Sequence, residues 1–183
     1  MFAGVKLFPV IDLGVSQIYL NEAKLVNIRK WLNPTDLSGF VPLTVHDFGN
    51  GKLTLTDGHS RAFLAYVLGI QQVPVVYDTD EMVTSYTGRL LYENDIAWCE
   101  RFRIYSVRDL KDRIVSDAEY KDLWIGRCDK AYNLLTQTTA VQRQKLQLLC
   151  PALHLYGANE DMTLLFFEND EGRITTLRNN AIL

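Results

Sequence analysis

Five consecutive residues, Asp57-Gly58-His59-Ser60-Arg61, bring a carboxylate, an imidazole, a hydroxyl and a guanidinium into one short stretch. They follow a run with strand alternation, in which Leu53 and Leu55 face one way and Thr54 and Thr56 the other. They precede a run in which Phe63, Tyr66, Val67 and Ile70 recur at helical spacing. A strand that ends in a glycine turn and feeds a helix leaves the first helical N–H groups without intrahelical partners. The helix dipole adds partial positive charge at the same point, so a phosphate or carboxylate is favoured there. Gly58 lets a ligand approach the backbone closely. Arg61, one turn in, can fork onto two oxygens. His59 can donate to a phosphate or move a proton near neutral pH, and Ser60 can donate a hydroxyl hydrogen bond. Asp57 can cap the helix or hold a divalent metal that accompanies a phosphate. Each residue alone has a plain structural use; together, directly after a buried strand, they read as an anion site.

The elements around this box can be placed from the pattern. A short strand over residues 17–20 leads to Asn21, which offers an N-cap, and to Glu22 in the first turn of a helix over residues 21–32. Val41, Leu43 and Val45 share a strand face, and Gly49-Asn50-Gly51 turns that strand back into the one that ends at the box. After the box helix, with Gly69 at its C-cap, residues 73–77 form another strand; Pro74 suggests that it lies at an edge or at a strand start. From Asp78 onward the character turns helical, with a helix towards Cys99 interrupted at Gly88. Capping-box patterns begin at Ser106, Ser116 and Thr139. The second of these opens the strongest amphipathic stretch, with Tyr120, Leu123, Trp124, Cys128, Ala131, Leu134 and Leu135 inward. The tail returns to strand, as a hairpin that turns at Asn169-Asp170-Glu171-Gly172.

Composition narrows the function classes. The chain has 183 residues, 48% hydrophobic and 22% charged, with a formal net charge of -3; these are the proportions of a globular protein. Basic residues alternate with acidic ones, as in Arg108-Asp109-Leu110-Lys111-Asp112-Arg113, and so lack the clustering that backbone binding to nucleic acid needs. No apolar run approaches the ~20 residues that would span a bilayer, and no membrane partner is expected. The start of the chain lacks the pattern of a signal peptide. Cys99, Cys128 and Cys150 are widely spaced and distant in sequence from His46, His59 and His154, which suits free thiols in a reducing cytoplasm better than a disulfide framework or a zinc site.

The stretch Leu55-Thr56-Asp57-Gly58-His59-Ser60-Arg61-Ala62-Phe63, followed by Gly69-Ile70 and Val73-Pro74-Val75, resembles the ParB N-terminal domain/sulfiredoxin superfamily over about residues 17–80. That resemblance implies an α+β fold: a small mixed-sheet nucleotide-binding domain over residues 1–80, a helical extension over 81–150 and a C-terminal β-hairpin segment over 151–183. The helical part looks like the extension of bacterial ParB-like proteins. Sulfiredoxins carry a Gly-Gly-Cys-His-Arg box, and here Gly58 stands where the catalytic cysteine would be. Chromosome-partitioning ParB proteins carry Gly-x-Arg-Arg for CTP, and here one arginine is missing. The Asp-Gly-His-His-Arg box of free serine kinases is the closest of the three; this chain departs from it at Ser60.

The resemblance implies phosphate and nucleotide contacts from Asp57, Gly58, His59, Ser60 and Arg61, with ATP or ADP as the nucleotide and Mg2+ held at Asp57. It implies a phosphotransferase, a kinase of a small hydroxylated metabolite such as an amino acid, with His59 and Glu22 as catalytic residues. Glu22 would be the base, and Asp12 a poorer candidate for it. The alternative is a non-catalytic nucleotide-dependent switch or a nucleic-acid-associated protein, including a ParB-like nuclease. On this reading Arg61→Ala weakens nucleotide binding by about 1.5–3 kcal/mol with the fold intact. Titration calorimetry of the two proteins checks it, equal affinities counting against a ligand role for Arg61.

Overall fold

The computed structural model describes residues 4–180, which are α+β in class. The chain divides into two compact units, Met1–Tyr120 and Lys121–Leu183. The divide falls well past the change of character near Asp78. The helices that follow Asp78 therefore group with the first unit, and the remaining helices group with the C-terminal strands. No helix among the described residues is long and apolar enough to cross a membrane.

The first unit contains β1 (Lys6–Pro9), β2 (Leu20–Asn21), α1 (Glu22–Arg29), β3 (Leu43–Asp47), β4 (Leu53–Leu55), α2 (His59–Val67), β5 (Gln72–Tyr77), α3 (Glu81–Thr84), α4 (Tyr86–Arg101), β6 (Ile114–Val115) and α5 (Asp117–Tyr120). Its main sheet is mixed, in the order β1-β5-β3-β4, with β5 parallel to β3 and the other pairs antiparallel. Leu43, Val45, Leu55, Val73 and Val75 form its buried face, with Leu13, Ile18 and Leu20 packed in from the preceding segment. The hairpin turn is set by Asp47, whose carboxylate accepts from the Gly49 and Gly51 amides at 2.8 and 3.0 Å. Both glycines have positive φ there. β2 pairs with β6 in a separate two-residue parallel ladder.

Several expectations change. Helix α1 does start at the Asn21 cap, whose side chain accepts from Lys24 N at 3.1 Å, but it ends at Arg29; looser turns then carry the chain to buried Leu32. Helix α2 buries Ala62, Phe63, Leu64 and Ala65, while Tyr66 and Val67 face outward. The two alanines decide this, because they let the first turns of the helix pack closely. The helix towards Cys99 breaks at Ser85 and not at Gly88. Ser85 Oγ caps the next segment by accepting from Gly88 N at 3.1 Å, and a Cβ on Gly88 would lie 2.1 Å from Met82 O. β1 was not foreseen, since Lys6 and Leu7 are exposed and Phe8 and Pro9 both half-buried, so the strand shows no alternation.

Pro74 is neither on an edge strand nor at the first residue of its strand: β5 is flanked on both sides. The parallel pairing with β3 nevertheless begins only at Leu43↔Val75, one residue later. The bond from Asp78 N to Val45 O at 2.7 Å gives the phase of this ladder. Stepping back four residues along both strands, a donor at position 74 would reach the carbonyl of Val41. Proline has none to offer.

The second unit holds a π-helical turn over Lys121–Ile125, α6 (Gly126–Gln137), α7 (Ala140–Gln147) and an antiparallel sheet of β7 (His154–Ala158), β8 (Leu164–Glu168) and β9 (Ile174–Arg178). The expected hairpin is β8–β9. β7 escaped notice because its register shifts between Leu155 and Gly157, which breaks the alternation that marks a strand. Leu134, Leu146, Ala158, Leu165 and Phe167 form the core. Beside it Arg127 and Glu168, both buried, make a two-armed ion pair. Nη1 donates to Oε2 at 2.7 Å and Nη2 donates to Oε1, and the guanidinium carbon lies 4.4 Å from the Tyr156 ring centre. Removing one partner of such a pair leaves a buried charge unmatched. Glu168→Ala is therefore expected to destabilise the second unit by about 3–5 kcal/mol, and Arg127→Met with Glu168→Leu to recover most of that. Urea unfolding of the three proteins checks it; a single variant no worse than the double one would refute it.

Candidate functional site

The box occupies the turn between β4 and α2, and Gly58 takes the N-cap position in the left-handed region, φ 86° and ψ 17°. A glycine cap carries no side chain, so the cap accepts nothing from the first turn. Asp57 stands one residue too early to cap. None of the backbone N–H groups from Asp57 to Arg61 reaches a protein acceptor among the described residues. The first turn of α2 thus keeps its donors for something else.

These donors border a crevice of about 140 Å³ lined by Asp57, Gly58, His59, Ser60 and Arg61 on one side and Gln17, Lys24, Ile28 and Tyr120 on the other. The whole box is therefore brought to one place. Its opposite wall is the segment around β2 and α1, with the last residue of α5. That wall offers a lysine. Lys24 is exposed, and its Nζ lies 5.4 Å from the Tyr120 ring centre. Gln17 Nε2 donates to Tyr19 O at 2.5 Å and to the Tyr120 hydroxyl at 3.2 Å, which fixes the two polar groups relative to each other. Sequence reasoning missed Lys24, Gln17 and Tyr120. The only available signal for Lys24 was its position one turn after the Asn21 cap.

Glu22 opens α1, is exposed and is not among the residues that line the crevice. Asp12 lines a different and wider depression of about 630 Å³, with Phe8, Ile11, Lys52, Tyr105 and Arg108. That larger hollow contains none of the box residues, and Lys52 Nζ there is already engaged by Tyr105 O at 2.7 Å.

Arg61 has two duties. Its Nη1 donates to Val41 O at 2.6 Å, with Pro42 O at 3.4 Å, and its Nη2 meets the Asp57 carboxylate at 3.1 Å. Val41 O is the carbonyl that Pro74 leaves without a ladder donor, so Arg61 supplies the missing hydrogen bond from the side. The guanidinium lies over Gly58: a Cβ added there would be 3.0 Å from Nη2 and 2.6 Å from a Leu43 methyl. The Arg61 side chain is 16% exposed and that of Asp57 is 79% exposed. Because Arg61 also ties down the 41–42 segment, Arg61→Ala would disturb the fold as well as any ligand contact.

His59 is buried, only 5% exposed. Its Nε2 accepts from Ser16 N at 3.1 Å, while Ser16 Oγ, 3.4 Å from the same nitrogen, donates to Leu55 O at 2.8 Å. The acceptor nitrogen is thus spent, and the ring proton sits on Nδ1, where it can only donate. Burial pushes the imidazole pKa down to about 4, against the pull of nearby Asp57. At neutral pH the ring is uncharged. For metals, no group of three or more His, Cys, Asp or Glu side chains converges among the described residues. Cys99 is buried, and burial pushes its thiol up.

Comparison with protein-family models finds none that matches this chain, and comparison with curated proteins finds none either.

The His59 environment has a measurable consequence. A folded-state pKa of about 4 against an ordinary value of 6.5 means that the unfolded chain binds the proton first as pH falls. Stability is therefore expected to drop through the window from pH 6.5 to 4, by roughly 3 kcal/mol in total. His59→Gln, which keeps an acceptor but no titration, should flatten that part of the profile. Thermal unfolding at half-unit pH steps checks it; parallel profiles for the two proteins would show that His59 does not titrate this way.

Proposed function

We propose that the first unit binds a phosphorylated small molecule, its phosphate seated at the N-terminus of α2, and that the ligand is a nucleotide, as the resemblance to the ParB/sulfiredoxin superfamily implies. The observation that carries this reading is the convergence of the unpaired Asp57–Arg61 amides, the Nδ1–H of buried His59 and the cations of Lys24 and Arg61 on one crevice. Donors of this kind match phosphate oxygens, and charge-assisted contacts are the stronger ones. A volume of about 140 Å³ suits a phosphoryl group. Sites that enclose a whole small molecule run to ~300–1,000 Å³, so the remainder of a nucleotide lies outside against α1.

Binding is favoured over phosphotransfer. A kinase needs a base within hydrogen-bond reach of the acceptor hydroxyl. Among the described residues Asp57 is the one carboxylate that lines the crevice, and it is paired with Arg61. His59 has its acceptor nitrogen engaged by Ser16. Asp57, the carboxylate that a magnesium ion would need here, is taken by Arg61, so the cations and amides of the protein hold the phosphate. The part played by the first unit is then recognition, as a nucleotide-dependent switch or partner module.

The test is a titration of inorganic phosphate, ADP and ATP, with and without magnesium, against the parent protein, Lys24→Ala and Glu22→Gln. Lys24→Ala should weaken binding by about 1.5–3 kcal/mol, the range for a charged hydrogen-bond partner, with unchanged thermal stability in the absence of ligand. Glu22→Gln should bind as the parent does. Phosphoryl transfer to a hydroxylated acceptor that Glu22→Gln abolishes would replace the binding reading with the kinase one. An absence of binding by any of the three ligands would remove both.

A further inference from the structure

Resting on that reading of the crevice, we infer that Asp57 is a built-in competitor for the anion. Its carboxylate holds Nη2 of Arg61, whose Nη1 is already given to Val41 O, and a ligand phosphate must displace it. Three observations lead here. First, the two ends of the ion pair are held very differently. Arg61 is anchored, with Nη1 on Val41 O at 2.6 Å and the guanidinium lying over Gly58, whereas the Asp57 side chain is 79% exposed. Second, the Asp57 carboxylate caps nothing, since the helix is capped by glycine, and among the described residues its hydrogen-bond partner is Arg61 Nη2 at 3.1 Å. Third, the buried His59 lines the same crevice with Nε2 taken by Ser16 N and Nδ1 without a partner among the described residues.

A carboxylate on a guanidinium imitates a phosphate oxygen pair. Its exposure makes it easy to move, since an ion pair with one end in solvent and no second contact on that end contributes little. When phosphate arrives, the anchored Arg61 stays and Asp57 swings to solvent. While it remains near, its charge repels the incoming dianion. The crevice therefore binds more weakly than its cations allow, and it discriminates against anions too weakly charged to displace a carboxylate. This assigns Asp57 a sign opposite to that of a phosphate or magnesium ligand: removing its charge strengthens binding.

The experiment is titration of inorganic phosphate and of ADP, at fixed ionic strength and with and without magnesium, into the parent protein, Asp57→Asn and Asp57→Glu. Asn keeps the size and removes the charge; Glu keeps the charge. Asp57→Asn is expected to bind both ligands about three- to tenfold more tightly, the scale of an exposed ion pair plus the repulsion it removes, and Asp57→Glu to stay near the parent. Raising the salt should narrow the gap, because exposed charges are screened. Binding by the parent with equal or weaker binding by Asp57→Asn would overturn the inference and leave the crevice standing. A loss confined to the magnesium series would overturn it in favour of a metal ligand. Binding by neither protein would overturn the site itself.

Discussion

A single carbonyl, that of Val41, organises the crevice. The strand that would bond to it carries proline at the facing position, so the ladder between β3 and β5 cannot extend that far. Arg61 reaches across from α2 and donates in its place, at 2.6 Å. Val41 is exposed, so the bond does not rescue a buried carbonyl; what it does is fix where the guanidinium lies, since Nη1 has this short contact and Pro42 O behind it. The guanidinium in turn sits against the backbone of Gly58, which allows no Cβ there without a shift of Leu43 or Arg61. The chain thus arrives at a helix start with a cation pinned over it and no capping side chain.

The hydrogen bonds of Ser16 complete the arrangement. Ser16 holds the imidazole of His59 through its amide and the end of β4 through its hydroxyl. The segment before β2 is thereby fastened to the first residue of α2, which brings Gln17 and then Lys24 opposite the box. A charged imidazole in that position would have to be desolvated, and so it stays neutral. The positive character of the crevice comes from Lys24, Arg61 and the amides, offset by Asp57. Among the described residues no carboxylate in this arrangement stands free of Arg61, and the imidazole has its acceptor nitrogen engaged.

Much of this was legible in the residues. The turn chemistry of Gly49 and Gly51, the Asn21 cap, the strand–glycine–helix passage at Gly58 and the grouping of the box all follow from local rules that act within a few residues. What the sequence hid depends on contacts between distant segments. That Arg61 bonds to Val41 follows from the register of β5 on β3 and from the placement of Pro74. That His59 is engaged follows from Ser16, 43 residues away, and that it is neutral follows from its burial. The face of α1 that meets the box shows Lys24 and not Glu22 because the helix begins at Asn21 and rotates about 100° per residue; no pattern within α1 announces that phase. The buried Arg127–Glu168 pair was equally hidden, since each residue reads locally as a surface charge.

Gly14 has a role that reaches beyond a single molecule. Its amide donates to Leu53 O at 2.8 Å and its carbonyl accepts from Leu55 N at 3.0 Å, so the outer rim of β4 is already occupied by one residue of the same chain. A Cβ there would stand 2.6 Å from Thr54 Oγ1, which only glycine avoids. Strand rims with unused donors and acceptors are templates for the strands of neighbouring molecules. At the other rim, β1 is short, and Pro9 deprives it of an outward donor. One close-packed glycine and one proline therefore guard the two sides of the sheet against self-templated aggregation, in the folded protein and in any partly opened form that keeps the segment around Gly14 docked.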